Sequence, residues 1–372
     1  MGDPTTANNW VQLNSIGISG TQNFSNTLDG VAIVGGAHNT QLVKNQIANN
    51  GHNGVWINSA TTYANTLLAN VILRNQMSGV AVQGSAHDNV LGQAVYGNII
   101  GGNSKYGVLI EGSGLMTNTV QLNSIGISGT TNISNTRDGV AIIGGARANR
   151  VYTNTIAYND HNGVWIDGAG TDYNQVQANI IRLNKMSGVA IQGGASANYI
   201  GRFGNRSAGN LISANTWQGI YIADSTTASN GVFGNRIGTN SSGNAADPNG
   251  LNGVLLDLGT HDNAIGALST ERNVIAGNTW AGVSIQNGAH DNWVQFNDIG
   301  TNRDYAAVSA ASPNLPTGGS QKYIALPNAG DGIALGNAYT NTIGGYISNF
   351  EAANFINNNS RSGIYVTAGS HH

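Results

Sequence analysis

Short apolar segments alternate with clusters of Gly, Asn, Asp and Ser along the whole chain. One pattern, Gly-(Val/Ile)-x-aliphatic, occurs twelve times, beginning at Gly30, Gly54, Gly79, Gly107, Gly139, Gly163, Gly188, Gly219, Gly253, Gly282, Gly332 and Gly363. Its two aliphatic residues are two positions apart, the period of a strand with one buried face. A second pattern, Asn-x-Ile-x-x-Asn, precedes many of these glycines, for example Asn45-Ile47-Asn50, Asn154-Ile156-Asn159 and Asn273-Ile275-Asn278. A third apolar segment often follows a lone asparagine, as at Asn89-Val90-Leu91 and Asn263-Ala264-Ile265. Each repeat therefore predicts three short strands, and no helical period of useful length competes with them.

Successive glycines lie as little as 24 or 25 residues apart. Three strands in so few residues, with no crossover helix, predict an all-β parallel β-helix of about 12 coils stacked about 4.8 Å apart. Right-handed winding follows from the strong chirality of parallel connections. A propeller blade needs four strands and a longer period, about 40 residues. Asparagine at fixed coil positions suits such a solenoid, because it tolerates left-handed turns and its amide can bond the amide one coil away. The recurrent Gly and Asn are thus read as structural, and Asp29, Asp138 and Asp331, each just before a strand glycine, as turn caps.

A longer repeat is superimposed, with residues 12–86 matching 121–195 as a four-coil duplication. Gly51-His52-Asn53-Gly54-Val55-Trp56-Ile57 returns as Asp160-His161-Asn162-Gly163-Val164-Trp165-Ile166. Wide glycine spacings mark polar excursions at 16–29, 125–138, 237–252 and 299–331, the last containing Ser312-Pro313-Asn314-Leu315-Pro316. No linker interrupts the pattern, so residues 1–368 are expected to form a single domain. Gly369-Ser370-His371-His372 looks like the remnant of a purification tag, and Met1-Gly2-Asp3-Pro4 carries no signal-peptide pattern.

Composition narrows the function classes. Only 9% of residues are charged, the formal net charge is −3, and there are four lysines, so no basic surface is available to track a nucleic acid. No apolar stretch approaches the roughly 20 residues of a membrane helix. Cysteine is absent, which excludes disulfides and thiolate metal sites. Calcium would need several clustered oxygen ligands, whereas the acidic residues are scattered, so no cofactor is expected.

If Val and Ile of the glycine pattern point inward, the positions between and after them point outward. That face would carry Trp56, Trp165 and Tyr221 among small residues, beside a column that includes Asn58, Glu111, Asp167, Gln192 and Asp257. Aromatic planes cover the apolar face of a pyranose, and amides and carboxylates bond its hydroxyls, so these are candidate polysaccharide-binding residues. The alternatives are that each Trp merely covers the alanines of neighbouring coils, or that the face joins subunits. His161 could act as a general base or bond a turn carbonyl. Glu111 and Asp167 share one outward column two coils apart, about 9.6 Å by coil spacing, at the edge of the range for an inverting carboxylate pair. His161, Asp167 and Glu111 are therefore the candidate catalytic residues.

Phrases such as Asn235-Arg236-Ile237-Gly238-Thr239-Asn240 and His261-Asp262-Asn263-Ala264-Ile265-Gly266 resemble those of right-handed parallel β-helix repeat proteins, in particular bacterial extracellular ones related to the pectate-lyase-like superfamily. The resemblance covers residues 12–367 and implies an extracellular or cell-surface setting and glycan partners. It includes lyases, polygalacturonases, epimerases, tailspikes and non-catalytic surface proteins. The polygalacturonase signatures are not present in order: the nearest matches are Gly170-Thr171-Asp172, Gly51-His52-Asn53 and Arg236-Ile237-Gly238. The epimerase phrase Asp-Pro-His-Glu is replaced by Asp247-Pro248-Asn249-Gly250. The expectation is accordingly a β-helical scaffold presenting a carbohydrate-binding or assembly surface, with self-association through open coil ends or the aromatic face. The alternative is a polysaccharide lyase or glycoside hydrolase.

Overall fold

The computed structural model describes residues 6–201, 209–267, 272–303, 323–345 and 353–370. The chain divides into two compact units, Met1–Ser196 and Ala197–His372. No helix occurs among the described residues, and most of the strands form three long parallel sheets. Sheet I collects the strands that follow the repeated glycine. Seven lie in the first unit, from Val31–Val34 to Val189–Gln192, and five in the second, from Ile220–Ala223 to Ile364–Val366. Sheets II and III divide in the same way, so each of the twelve coils contributes one strand to each sheet. One coil runs Gln41–Val43 in sheet II, Gln46–Ala48 in sheet III and Val55–Asn58 in sheet I.

The glycine pattern sets the register. Val55, Trp56 and Ile57 pair with Val80, Ala81 and Val82 of the next coil. The branched residues of the pattern do face inward: Val55, Ile57, Val164 and Ile166 are fully buried. Leu42 and Leu67 of sheet II and Ile47 and Ile72 of sheet III are also fully buried. Each such side chain contributes roughly 1.5–3 kcal/mol by leaving water.

Asparagine columns hold the corners. One runs Asn45, Asn70, Asn98, Asn123, Asn154, Asn179, each side-chain carbonyl accepting from the backbone N–H and amide of the preceding asparagine at 2.8–3.1 Å. A second, Asn50, Asn75, Asn103, Asn135, Asn159, lies after sheet III, and a third, Asn65, Asn89, Asn118, Asn149, before sheet II. The expected amide-to-amide bonding is present, but the left-handed backbone is not at these asparagines. It falls on the residue just before most of them: Lys44, Ala69, Thr153 and Ala178 have φ of 54°, 54°, 55° and 52°. A left-handed residue costs roughly 1–2 kcal/mol. It makes the sharp bend between strands, and the amide column immediately after it offsets that cost.

The aspartates before the strand glycine do cap, across coils. Asp29 accepts from the backbone and side chain of Asn53 at 2.9 Å, Asp138 likewise from Asn162 at 2.9 and 2.8 Å, and Asp331 from the backbone of Ser362 at 2.8 Å. Three of the polar excursions begin as antiparallel hairpins: Ile18–Ser19 with Gln22–Asn23, Ile127–Ser128 with Thr131–Asn132, and Thr301–Arg303 with Tyr323–Ala325. In the second of these, Gly129 supplies the positive φ (58°) that the first position of a tight hairpin turn requires. Residues 312–319 of the longest excursion, like Met1–Pro4 and His371–His372, lie outside the described residues.

Candidate functional site

In the first unit the outward positions of sheet I run, coil by coil, Ala32, Trp56, Ala81, Leu109, Ala141, Trp165 and Ala190, all in register. Ala81, Leu109 and Ala141 are buried, with Trp56, Trp165 and Ile143 packed against them and Tyr106 completing the cluster. The half-buried tryptophans, four coils apart, bound this apolar trough, whose small floor residues they and Tyr106 largely cover. Tyr106 and Trp165 stack at 6.4 Å between ring centroids, with 25° between planes. The Arg137 guanidinium lies 5.9 Å from the Tyr106 centroid, and its Nη1 donates to the Tyr106 hydroxyl at 3.4 Å.

A polar margin follows the column that ends each strand. Trp56 Nε1 donates to Gln83 Oε1 at 2.9 Å, and Gln83 Nε2 donates to Glu111 Oε2 at 2.6 Å. Asn58 is in register with Gln83, and Asp167 with Gln192. Glu111 pairs with Ile143 and Ile143 with Asp167, so the two candidate carboxylates are two coils apart with an isoleucine between them. His161 stands at the corner before this strand, exposed, as His52 does in the duplicate coil. Its backbone carbonyl accepts from Met186 at 3.1 Å, but its ring makes no hydrogen bond among the described residues. The structure thus brings Trp56, Asn58, Glu111, Trp165, Asp167 and Gln192 to one face, with His161 at its margin.

Tyr221 and Asp257 belong to the second unit and are used differently. Asp257 is only 8% exposed, and its Oδ1 accepts from the Leu258 backbone at 2.9 Å and from Asn287 Nδ2 at 2.8 Å. The Tyr221 hydroxyl donates to Asp257 Oδ2 at 3.5 Å. Burial first, then the negative charge of Asp257 and Asp224, pushes the Tyr221 hydroxyl up to about 12, so it remains a neutral donor. Sequence reasoning missed Tyr106 and Arg137. Tyr106 was visible as the one aromatic at the position just before the strand glycine, where most other coils place Asn, Asp or Ser.

Asp138 sits beneath Asn162, the neighbour of His161, in the adjoining coil corner. Burial raises its carboxyl above the usual value of 3.8, opposed by its bonds from Asn162 and the nearby His161 charge. A raised folded-state value means that the folded chain holds this proton more tightly than the unfolded chain. The associated stability is present below 3.8 and is lost as pH rises through the elevated folded value. Asp138→Asn keeps the acceptor and removes the buried charge, as Asn252 Oδ1 does in accepting from Ala281 at 3.1 Å. The urea midpoint of this variant, relative to the parent, should rise from acid to neutral pH; a constant difference would contradict the assignment.

Among the described residues no group of three or more His, Asp or Glu side chains is placed to hold a metal ion. No helix among them is long and apolar enough to cross a membrane.

A family profile described as a right-handed β-helix region matches residues 4–125. This protein is a right-handed parallel β-helix. Solved structures of similar fold include a mutant of the periplasmic alginate epimerase AlgG, at 14% identity and a TM-score of 0.42 over 81% of this β-helix and 61% of that chain. The A-module of the Azotobacter vinelandii mannuronan C-5 epimerase AlgE6 aligns at 14% identity and a TM-score of 0.44, covering 89% and 84%. The Dettilon tailspike protein gp208 aligns at 15% identity and 0.46, covering 78% and 60%. The β-helix thus spans less than two thirds of the length of that AlgG chain. Comparison with curated protein sequences finds no match.

Proposed function

We propose that this β-helix is an extracellular scaffold that binds carbohydrate along the outward face of sheet I. The trough carries the reading: a floor of Ala81, Leu109 and Ala141 beside Tyr106, Trp56 and Trp165, bordered by the Gln83–Glu111 amide–carboxylate pair. Half-buried indole rings offer edges and faces to pyranose rings, and a polar border bonds equatorial hydroxyls. Within the first unit, the coils are tied to their neighbours by backbone and amide ladders, so this face is preorganised and little entropy is lost on binding. The test is affinity electrophoresis against a panel of neutral and uronate polysaccharides. Trp165→Ala, which removes the stack with Tyr106, should weaken binding about tenfold, in line with a buried aromatic anchor. Binding that is indifferent to Trp56→Ala and Trp165→Ala together would refute the trough as the site.

One observation favours a second reading. Glu111 and Asp167 lie in one column with a single residue between them, about 9.6 Å apart by coil spacing. A hydrolase using this pair would release reducing ends, and a lyase at the same site would give unsaturated products. Turnover of either kind that disappears in Asp167→Asn would replace the scaffold by an enzyme.

A further inference from the structure

The second unit carries a phrase twice that the trough does not use: Asn215-Thr216-Trp217 and Asn278-Thr279-Trp280. Both tryptophans occupy the coil corner two residues before the strand glycine, the position of His161 in the first unit. They are two coils apart, with Leu251 in the coil between. The backbone fixes this row: Leu251 N donates to Trp217 O and Trp280 N to Leu251 O, each at 3.1 Å. The asparagines beneath are tied in the same order, Asn215 Nδ2 to Asn249 Oδ1 at 3.0 Å and Asn249 Nδ2 to Asn278 Oδ1 at 2.9 Å. Trp217 and Trp280 are 44% and 57% exposed, whereas Trp56 and Trp165 are half-buried. An indole left in water at the same corner of two coils is repeated exposure on a rigid track, not scattered surface apolarity.

The spacing and the charge select the ligand. Two coil steps separate the indoles by about 9.6 Å along the stacking direction. In an extended β-1,4-linked chain of pyranoses, each ring is turned over relative to the last. The same ring face therefore returns once per disaccharide, a length close to two coil steps. The α-1,6-linked chain of dextran, with an extra rotatable bond at each linkage, does not keep this repeat. Residues 215–218, 249–252 and 278–281 contain no ionisable side chain, whereas the same corner in the first unit carries Lys105, Arg137 and His161. A charged polymer would lie here with no partner for its charges, and a neutral one leaves none unpaired. Thr216 and Thr279, both exposed, offer a hydroxyl beside each indole.

We infer that this corner is a second carbohydrate site, binding a neutral β-1,4-linked glycan with alternate rings stacked on Trp217 and Trp280 and the ring between them over Leu251. The inference rests on the carbohydrate reading above but uses a different surface. The full chain is run in native gels containing hydroxyethylcellulose, dextran or no polymer, with unchanged urea midpoints establishing that each variant is folded. Hydroxyethylcellulose should retard the parent and dextran should not. Trp217→Ala and Trp280→Ala should each weaken retardation about tenfold, the loss expected for an aromatic anchor, and the double variant should migrate as without polymer. No retardation of the parent, equal retardation by dextran, or a double variant that binds like the parent would overturn the inference. Retardation lost only in the Trp56→Ala, Trp165→Ala double variant would also overturn it while leaving the trough standing. Loss confined to Trp217 and Trp280 would support the corner site and remove the trough.

Discussion

Asn154→Ala should lower the unfolding free energy by about 4 kcal/mol, because several buried polar groups lose their partner together. Asn154 is 1% exposed. Its carbonyl oxygen accepts from the Asn123 backbone at 2.9 Å and the Asn123 amide at 3.1 Å. Its own backbone and amide donate to Asn179 Oδ1 at 2.9 and 3.0 Å, and the amide also reaches Val120 O at 2.9 Å. Alanine restores none of these except the backbone donor, and each orphaned group inside the coil costs about 1–3 kcal/mol. The preceding residue, Thr153, keeps its left-handed φ of 55° without the amide that offsets it. A lowered urea midpoint read by far-ultraviolet circular dichroism checks the result. A loss below about 1 kcal/mol, the net worth of one ordinary hydrogen bond, would mean that the columns follow the fold without supporting it.

Gly163→Ala is expected to cost about 3 kcal/mol, at the upper end for overpacking a filled interior. The reason is space, since this glycine has no left-handed backbone. A methyl group at Gly163 would meet Ile181 Cγ2, the carbonyl oxygen of Gly188 at 2.7 Å and Asn184 Nδ2 at 2.9 Å, all in the next coil. Two of the three cannot yield, since one is backbone and another belongs to an amide column. Gly54 and Gly253 meet the same three kinds of atom, which explains why the pattern begins with glycine coil after coil. Gly336→Ala is the control: its new methyl would find only Thr367 Oγ1, at 3.4 Å, and should change the midpoint little. Equal effects at the two positions would show that the loss comes from glycine as such and not from coil-to-coil contact.

Much of the fold was legible because its causes are local and repeat. Val and Ile alternate with the outward residue at the period of a strand, so the inward faces of Val164 and Ile166 could be assigned from the pattern alone. The outward placement of Trp56, Trp165 and Asp167 followed from the same alternation. The left-handed residues were misplaced, because asparagine tolerates that backbone in isolation, whereas here its amide is needed for the column and the bend moves to Lys44, Ala69 or Thr153.

The candidate site was legible only by column. Which residues stand on the outward face depends on residue spacing within one strand. Which of them touch depends on what stands in the neighbouring coils, set by loops of unequal length. Tyr106 reaches Trp165 from two coils away. Gln83 takes the indole N–H of Trp56, and Asn287 with Leu258 occupies the carboxylate of Asp257, which therefore lies 8% exposed. The amino-acid sequence by itself determined the three-stranded coil, its inward and outward faces and the need for glycine, because these follow from alternation and side-chain size within a few residues. The tertiary structure alone decided which polar groups are already satisfied and which aromatic rings stay exposed, because hydrogen bonding between coils joins residues about one coil or more apart in the chain.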